Sequence, residues 1–231
     1  MHLLLAALAG LVAGAALRPA VVALAIPAAD PAAVTCPGCA PPARGATWCR
    51  RAVLPAPGGR CPAWLAEVTT AAAFAAVAAG GATGWYGAAQ YWIALLGSAL
   101  LLIDSAVHRL PDALTLPAAV GTLALLTLAA SRGEHGSLPR ALAVATAAGA
   151  LFVLFALGGM GLGDAKLAVS LGALLGWHSW QAAILALVLS YLLGAMVAVV
   201  LLIRRRHRKS TLAFGPFLIV GTLAAGLLTG G

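Results

Sequence analysis

Carboxylates are scarce in this sequence: six Asp and Glu in 231 residues, against fourteen Lys and Arg. Charged residues of both signs make up only 9% of the chain, where an ordinary soluble domain carries roughly a quarter. That shortage excludes a conventional soluble domain. Aromatic residues are also few, at 6%. No internal repeat is evident, which argues against an inverted-repeat transporter. No Lys or Arg precedes the first apolar run, which argues against a secretory signal.

What remains is apolar. Hydrophobic residues make up 62% of the chain and mean hydropathy is +1.01. They form repeated runs of about 20 residues, the length of a bilayer span. Alanine, leucine, valine and glycine fill these runs, and small residues let helices approach closely in lipid. The expectation is an all-α, polytopic transmembrane helical bundle. The net charge of +8 could suggest a nucleic-acid partner. The basic residues sit instead in short connections between apolar runs, as membrane topology signals do, so lipid is the expected surroundings and nucleic acid is not.

Apolar runs fall at about residues 2–26, 65–84, 89–107, 113–130, 140–158, 164–177, 180–203 and 212–230, giving about eight spans. Three regions follow: a first transmembrane segment over 1–26, a Cys- and Pro-rich loop over 27–63, and a membrane-embedded domain over 64–231. With the N-terminus outside, the cytoplasmic connections collect Arg44, Arg50, Arg51, Arg60, Arg109, Lys166, Arg204, Arg205, Arg206, Arg208 and Lys209. The outer connections collect only Arg132 and Arg140, with Arg18 left in the first span. This bias predicts the orientation and puts Asp104, Asp112 and Asp164 in the cytoplasmic half. Trp177, His178 and Trp180 read as an interfacial belt on the opposite side.

An acid beside a membrane span is costly unless paired, wetted or protonated. Asp164 follows Gly161 and Gly163, glycines that permit unusual backbone and close approach. Asp104 lies seven residues before Pro111, about 10 Å of helix back from a turn that Leu110 and Pro111 predict. Asp112 sits just past that break. Capping a helix is one reading of such aspartates. The other is a carboxyl pair that shares one proton, the ionised member activating water and the protonated one polarising a carbonyl. A transporter using the same acids for protons or cations is the alternative from another class.

Ile103-Asp104, Leu110-Pro111-Asp112, Leu114-Thr115-Leu116-Pro117, the run from Gly159 to Asp164 and Lys166-Leu167 together resemble the type IV prepilin peptidases, membrane aspartic peptidases of the Gly-x-Gly-Asp class. Phe214-Gly215-Pro216-Phe217 resembles that family's proline-containing signature before the last span. The resemblance implies an inner-membrane endopeptidase of bacteria, its active site facing the cytoplasm. Its substrates would be prepilins or pseudopilins with a basic leader, a glycine before the cut and a hydrophobic helix after it. Asp104 and Asp164 carry over as the catalytic pair, with Gly161, Gly163, Lys166, Pro111 and Asp112 as motif support. A competing assignment pairs Asp112 with Asp164 and leaves Asp104 structural. Lys166 also suits a cation reaching the headgroups.

The peptidase chemistry requires no cofactor. Cys36 and Cys39 have the spacing of a zinc knuckle, and Cys49 and Cys61 could complete four thiolates around a structural zinc. A cytoplasmic loop disfavours disulfides. Relatives in the resembled family carry paired Cys-x-x-Cys motifs, but Trp64 stands where the last cysteine would fall. The family's larger members also N-methylate the new N-terminus with S-adenosylmethionine, and the altered loop weakens the carry-over of that activity. Oligomeric state has no signal in the sequence.

Overall fold

In lipid, a backbone segment must satisfy its own polar groups, and a single apolar run can do so only as a helix. The computed structural model describes residues 1–25, 55–56, 59–60, 64–203 and 213–229. Among them are eight helices: α1 His2–Ala25, α2 Leu65–Ala79, α3 Gly84–Val107, α4 Asp112–Ser131, α5 Leu138–Leu157, α6 Leu162–His178, α7 Trp180–Ile203 and α8 Gly215–Thr229. The eight expected runs are these eight helices, and the all-α class holds. A two-residue antiparallel pairing of β1 Pro55–Ala56 with β2 Gly59–Arg60 is the only strand structure among the described residues. All four cysteines and the basic cluster at 204–209 fall outside the described residues.

The chain is a multi-pass membrane protein. Helices α1, α3, α4, α5 and α7 are long and apolar enough to cross a bilayer. Helix α6 has 17 residues, and α2 and α8 have 15 each. At a rise of about 1.5 Å per residue these three span only ~22–26 Å, short of a ~30 Å hydrocarbon core. The eight helices therefore comprise five full-length spans and three shorter ones packed among them.

Helices α3 and α6 form the centre. Two thirds (67%) of the most apolar window of α3 is buried, against 17% for α1 and for α7. From Asp164 to Trp177 almost every residue of α6 is buried. Small residues make this possible: Gly172 and Gly176 of α6 lie directly against Ala141, Val144 and Ala145 of α5. A buried hydroxyl pair, Thr70 with Ser98 at 3.0 Å, joins α2 to α3. Arg18, which the charge pattern leaves inside the first span, ion-pairs with Glu67 of α2.

The belt reading needs one correction. Trp180 is exposed, but Trp177 is almost wholly buried and stacks on Tyr86 of α3 with ring centroids 6.4 Å apart. A central helix has neighbours all round, so its terminal tryptophan has no lipid-facing side to occupy.

At that same end Glu134 of the α4–α5 connection and Arg140 of the first turn of α5 fasten both central helices. Glu134 accepts the backbone N–H groups of Trp85 at 2.7 Å and Tyr86 at 3.0 Å, satisfying free donors of the first turn of α3. These donors hold the Glu134 carboxyl below the usual carboxylate range. Arg140 donates to the carbonyls of Gly176 at 2.8 Å, Trp177 at 2.5 Å and His178 at 2.6 Å, closing the last turn of α6.

Candidate active site

Helix α3 ends and α6 begins at the opposite end of the bundle, and each carries one aspartate there. His108 caps α3 in a left-handed conformation, φ 51°, and Pro111 starts α4. The break falls where Leu110 and Pro111 predict it. Asp104 lies one turn inside the end of α3 and is 5% exposed. Its Oδ2 accepts the backbone N–H of Gly215 at 3.1 Å, across 111 residues of sequence. A Cβ on Gly215 would stand 2.7 Å from that oxygen. The third sequence motif thus opens α8 directly against the first aspartate, a role that its residue types alone did not disclose.

Asp164 is the third residue of α6 and is 7% exposed. The N-cap is Gly161, and no side chain makes a capping bond there. The capping explanation for Asp164 therefore fails, and its burial needs another reason.

The glycines divide the roles that the sequence assigns to them jointly. Unusual backbone belongs to Gly159, φ +103°, and not to Gly161, whose φ is −68°. Close approach belongs to Gly163, where a Cβ would meet Leu110 Cβ at 2.7 Å. Gly163 therefore lets the first turn of α6 nest against the α3–α4 turn, bringing the two aspartate-bearing ends together.

Asp112 stands apart from the pair. Its carboxylate is exposed and takes the Lys166 ammonium at 2.6 Å, so α4 and α6 are bridged at the surface. Lys166 is engaged with this acid and does not extend alone. Among the described residues no group of three His, Cys, Asp or Glu gathers to hold a metal ion. What the arrangement offers chemically is two buried carboxyls at the same end of the bundle, with a main-chain donor on one. That set can exchange protons with a bound water and a polar substrate group.

The fold is that of a polytopic helical membrane protein with two buried aspartates at one end of the bundle. Residues 90–199 match the type IV leader peptidase family, which bears out over that segment the resemblance carried by the motifs. The chain is 36% identical over 161 residues to the prepilin leader peptidase/N-methyltransferase of Aeromonas hydrophila, covering 68% of this chain and 54% of that protein. It is 35% identical over 167 residues to the Aeromonas salmonicida protein of the same name, with the same coverage. It is 38% identical over 131 residues to the Pseudomonas aeruginosa one, covering 53% of this chain and 43% of that protein. The chain thus spans about half the length of the curated relatives it matches. No solved structure matches it.

Proposed function

We propose that this chain is a membrane aspartic endopeptidase that removes the leader of prepilin- or pseudopilin-type proteins, with Asp104 and Asp164 as the pair that activates water. The observation that carries the reading is the convergence of three motifs, distant in sequence, on one buried carboxyl pair. Asp104 comes from the first, Asp164 from the second, and the Gly215 N–H that orients Asp104 from the third.

In the proposed reaction the ionised carboxyl takes a proton from water as the oxygen attacks the scissile carbonyl. The protonated carboxyl donates to the carbonyl oxygen, and the proton taken from water then goes to the leaving amine. The bond broken is the peptide C–N, and one water is consumed. Burial suits this chemistry, because fixed donors and charges act more strongly where bulk water is excluded. Lys166 and Asp112 brace the rim. The inner bacterial membrane, an external N-terminus and a cytoplasm-facing site belong to the same proposal, supported by the basic connections. The zinc reading of the cysteine loop stands apart, since no step needs it.

The test is co-expression with a prepilin-type substrate and measurement of leader removal. Asp104→Asn and Asp164→Asn are each expected to lower the rate by at least ~100-fold, the usual worth of a positioned acid or base. Asp112→Asn removes an exposed ion pair worth about 1 kcal/mol or less and should process within roughly tenfold of wild type. Processing that survives Asp104→Asn but fails in Asp112→Asn would refute the assignment.

A further inference from the structure

The tight packing of α5 on α6 has a counterpart on the neighbouring face. Helices α5 and α7 hardly touch, and between them lies an apolar groove of about 200 Å³ with α6 and α8 as its floor. Ala147 and Leu151 form one wall, Ile184 and Leu187 the other, and Ala168 and Leu171 part of the floor. Ile184 is 60% exposed, so the groove opens sideways toward lipid.

Two observations say what fills it. The first is continuity with the carboxyl pair. Ala168 follows Asp164 by four residues of α6, about 6 Å of helix. Phe152 lines the groove and packs on Phe214, the neighbour of Gly215, with ring centroids 6.0 Å apart. Tyr191 packs on Phe214 at 5.0 Å and on Phe155 at 6.1 Å. An aromatic collar therefore joins the groove to the aspartates. The second is a buried, unpaired polar atom on a residue of the apolar floor. Thr222 lines the groove and is 5% exposed, yet its hydroxyl has no hydrogen-bond partner among the described residues. A buried hydroxyl left unpaired is costly. A lipid acyl chain could fill the space but could not pair that hydroxyl; a polypeptide carrying a polar side chain could.

We propose that the α5–α7 groove seats the apolar helix of the substrate next to the bond to be cut, with Thr222 receiving a polar side chain from that helix. This rests on the peptidase reading above. A helix entering sideways from lipid lies along α6 with its end at the collar. The peptide bond beyond that end is delivered to Asp104 and Asp164 without the apolar segment leaving the membrane.

The test uses the full chain in membranes, a full-length prepilin-type substrate and the Asp164→Asn variant to hold substrate uncut. A photoreactive benzoylphenylalanine is placed at Ile184 in the groove or at Val120, an equally lipid-exposed position of α4. Adducts with the substrate from 184 and not from 120 are expected. Adducts with lipid alone, or equally from both positions, overturn the groove. Ala183 also lines the α7 wall, and in otherwise wild-type protein Ala183→Trp should lower processing of the full-length substrate by about tenfold, as overpacking in a filled space does. It should leave cleavage of a short soluble peptide across the cut unchanged, and an equal loss on both substrates counts against the groove. Thr222→Val should cost about fivefold, the value of one hydrogen bond, and unchanged processing would refute that contact. Wild-type protein run in parallel separates the two readings. Failure of the wild type to cut refutes the peptidase and the groove together, whereas cutting without a 184 adduct refutes the groove alone.

Discussion

Replacing Gly215 by alanine tests the site at its tightest point. The new Cβ would stand 2.7 Å from Asp104 Oδ2 and 3.3 Å from its Cγ, while ordinary contact begins at 3.4 Å. The carboxyl oxygen has to retreat by about 0.7 Å or the start of α8 has to lift, and either movement lengthens the 3.1 Å bond from the Gly215 N–H. Overpacking of this kind costs ~1–3 kcal/mol of stability, which a multi-helix bundle can absorb. A reacting group displaced by about 1 Å costs on the order of 100-fold in rate. Gly215→Ala should therefore reach the membrane and unfold at only a slightly lower temperature, yet remove leaders 10- to 100-fold more slowly, within the range ~100-fold sets. Gly161→Ala is the matched control, because its Cβ would lie 3.6 Å from Asp164 Oδ2, an ordinary contact. Leader removal followed by gel mobility over time, with thermal unfolding of the same preparations, reads both quantities. A Gly215→Ala protein that folds and processes at the wild-type rate would show that the Gly215 contact does not position a reacting group.

Two further expectations concern the far end of the bundle. The Glu134 carboxyl is held below its usual value of 4.5 by the two N–H groups it accepts. A depressed folded value contributes stability above the unfolded value, and that contribution is lost as pH falls from about 4.5 through the folded value. Glu134→Gln should flatten the pH dependence of thermal unfolding in that window, and an unaltered profile would refute the cap. Arg140→Ala leaves three carbonyls of α6 without their donor. It should lower stability by about 1–3 kcal/mol, read from thermal unfolding in detergent, and an unchanged unfolding temperature would show that water replaces the guanidinium at no cost.

Helix positions were legible in the sequence because their causes are local. Apolar runs set the spans, and Leu110-Pro111 set the break that the structure shows between Val107 and Asp112. The ends moved where glycines stand: the run expected over 65–84 stops at Ala79, before Gly80 and the positive-φ Gly81, and that over 164–177 extends to Leu162–His178, starting directly after Gly161. Trp177 was misread because a tryptophan near a helix end looks alike whether the helix is peripheral or central, and centrality is a property of all eight helices. Asp104 and Asp164 stood out through their cost in an apolar chain. The Gly215 donor did not, because a backbone N–H has no residue type to announce it and its acceptor is 111 positions away. Arg140 read as a loop charge, and Glu134 drew no reading at all, for the same reason: their partners are main-chain atoms.

The two contacts at the α4–α5 junction carry a consequence for how freely this sequence can vary. Glu134 and Arg140 grip peptide groups, not side chains. Every residue type except proline at a donor position supplies those groups. Apart from Gly84, where a Cβ would stand 2.6 Å from Glu134 Oε1, and Gly176, where one would stand 2.7 Å from Val144 Cβ, the first turn of α3 and the last turn of α6 can therefore exchange residues without losing the peptide groups that are gripped. The constraint is concentrated in two side chains at one helix junction, Glu134 before α5 and Arg140 in its first turn. An engineer could redesign the α3 terminus for a different membrane thickness while leaving the spacing of the distant carboxyls untouched.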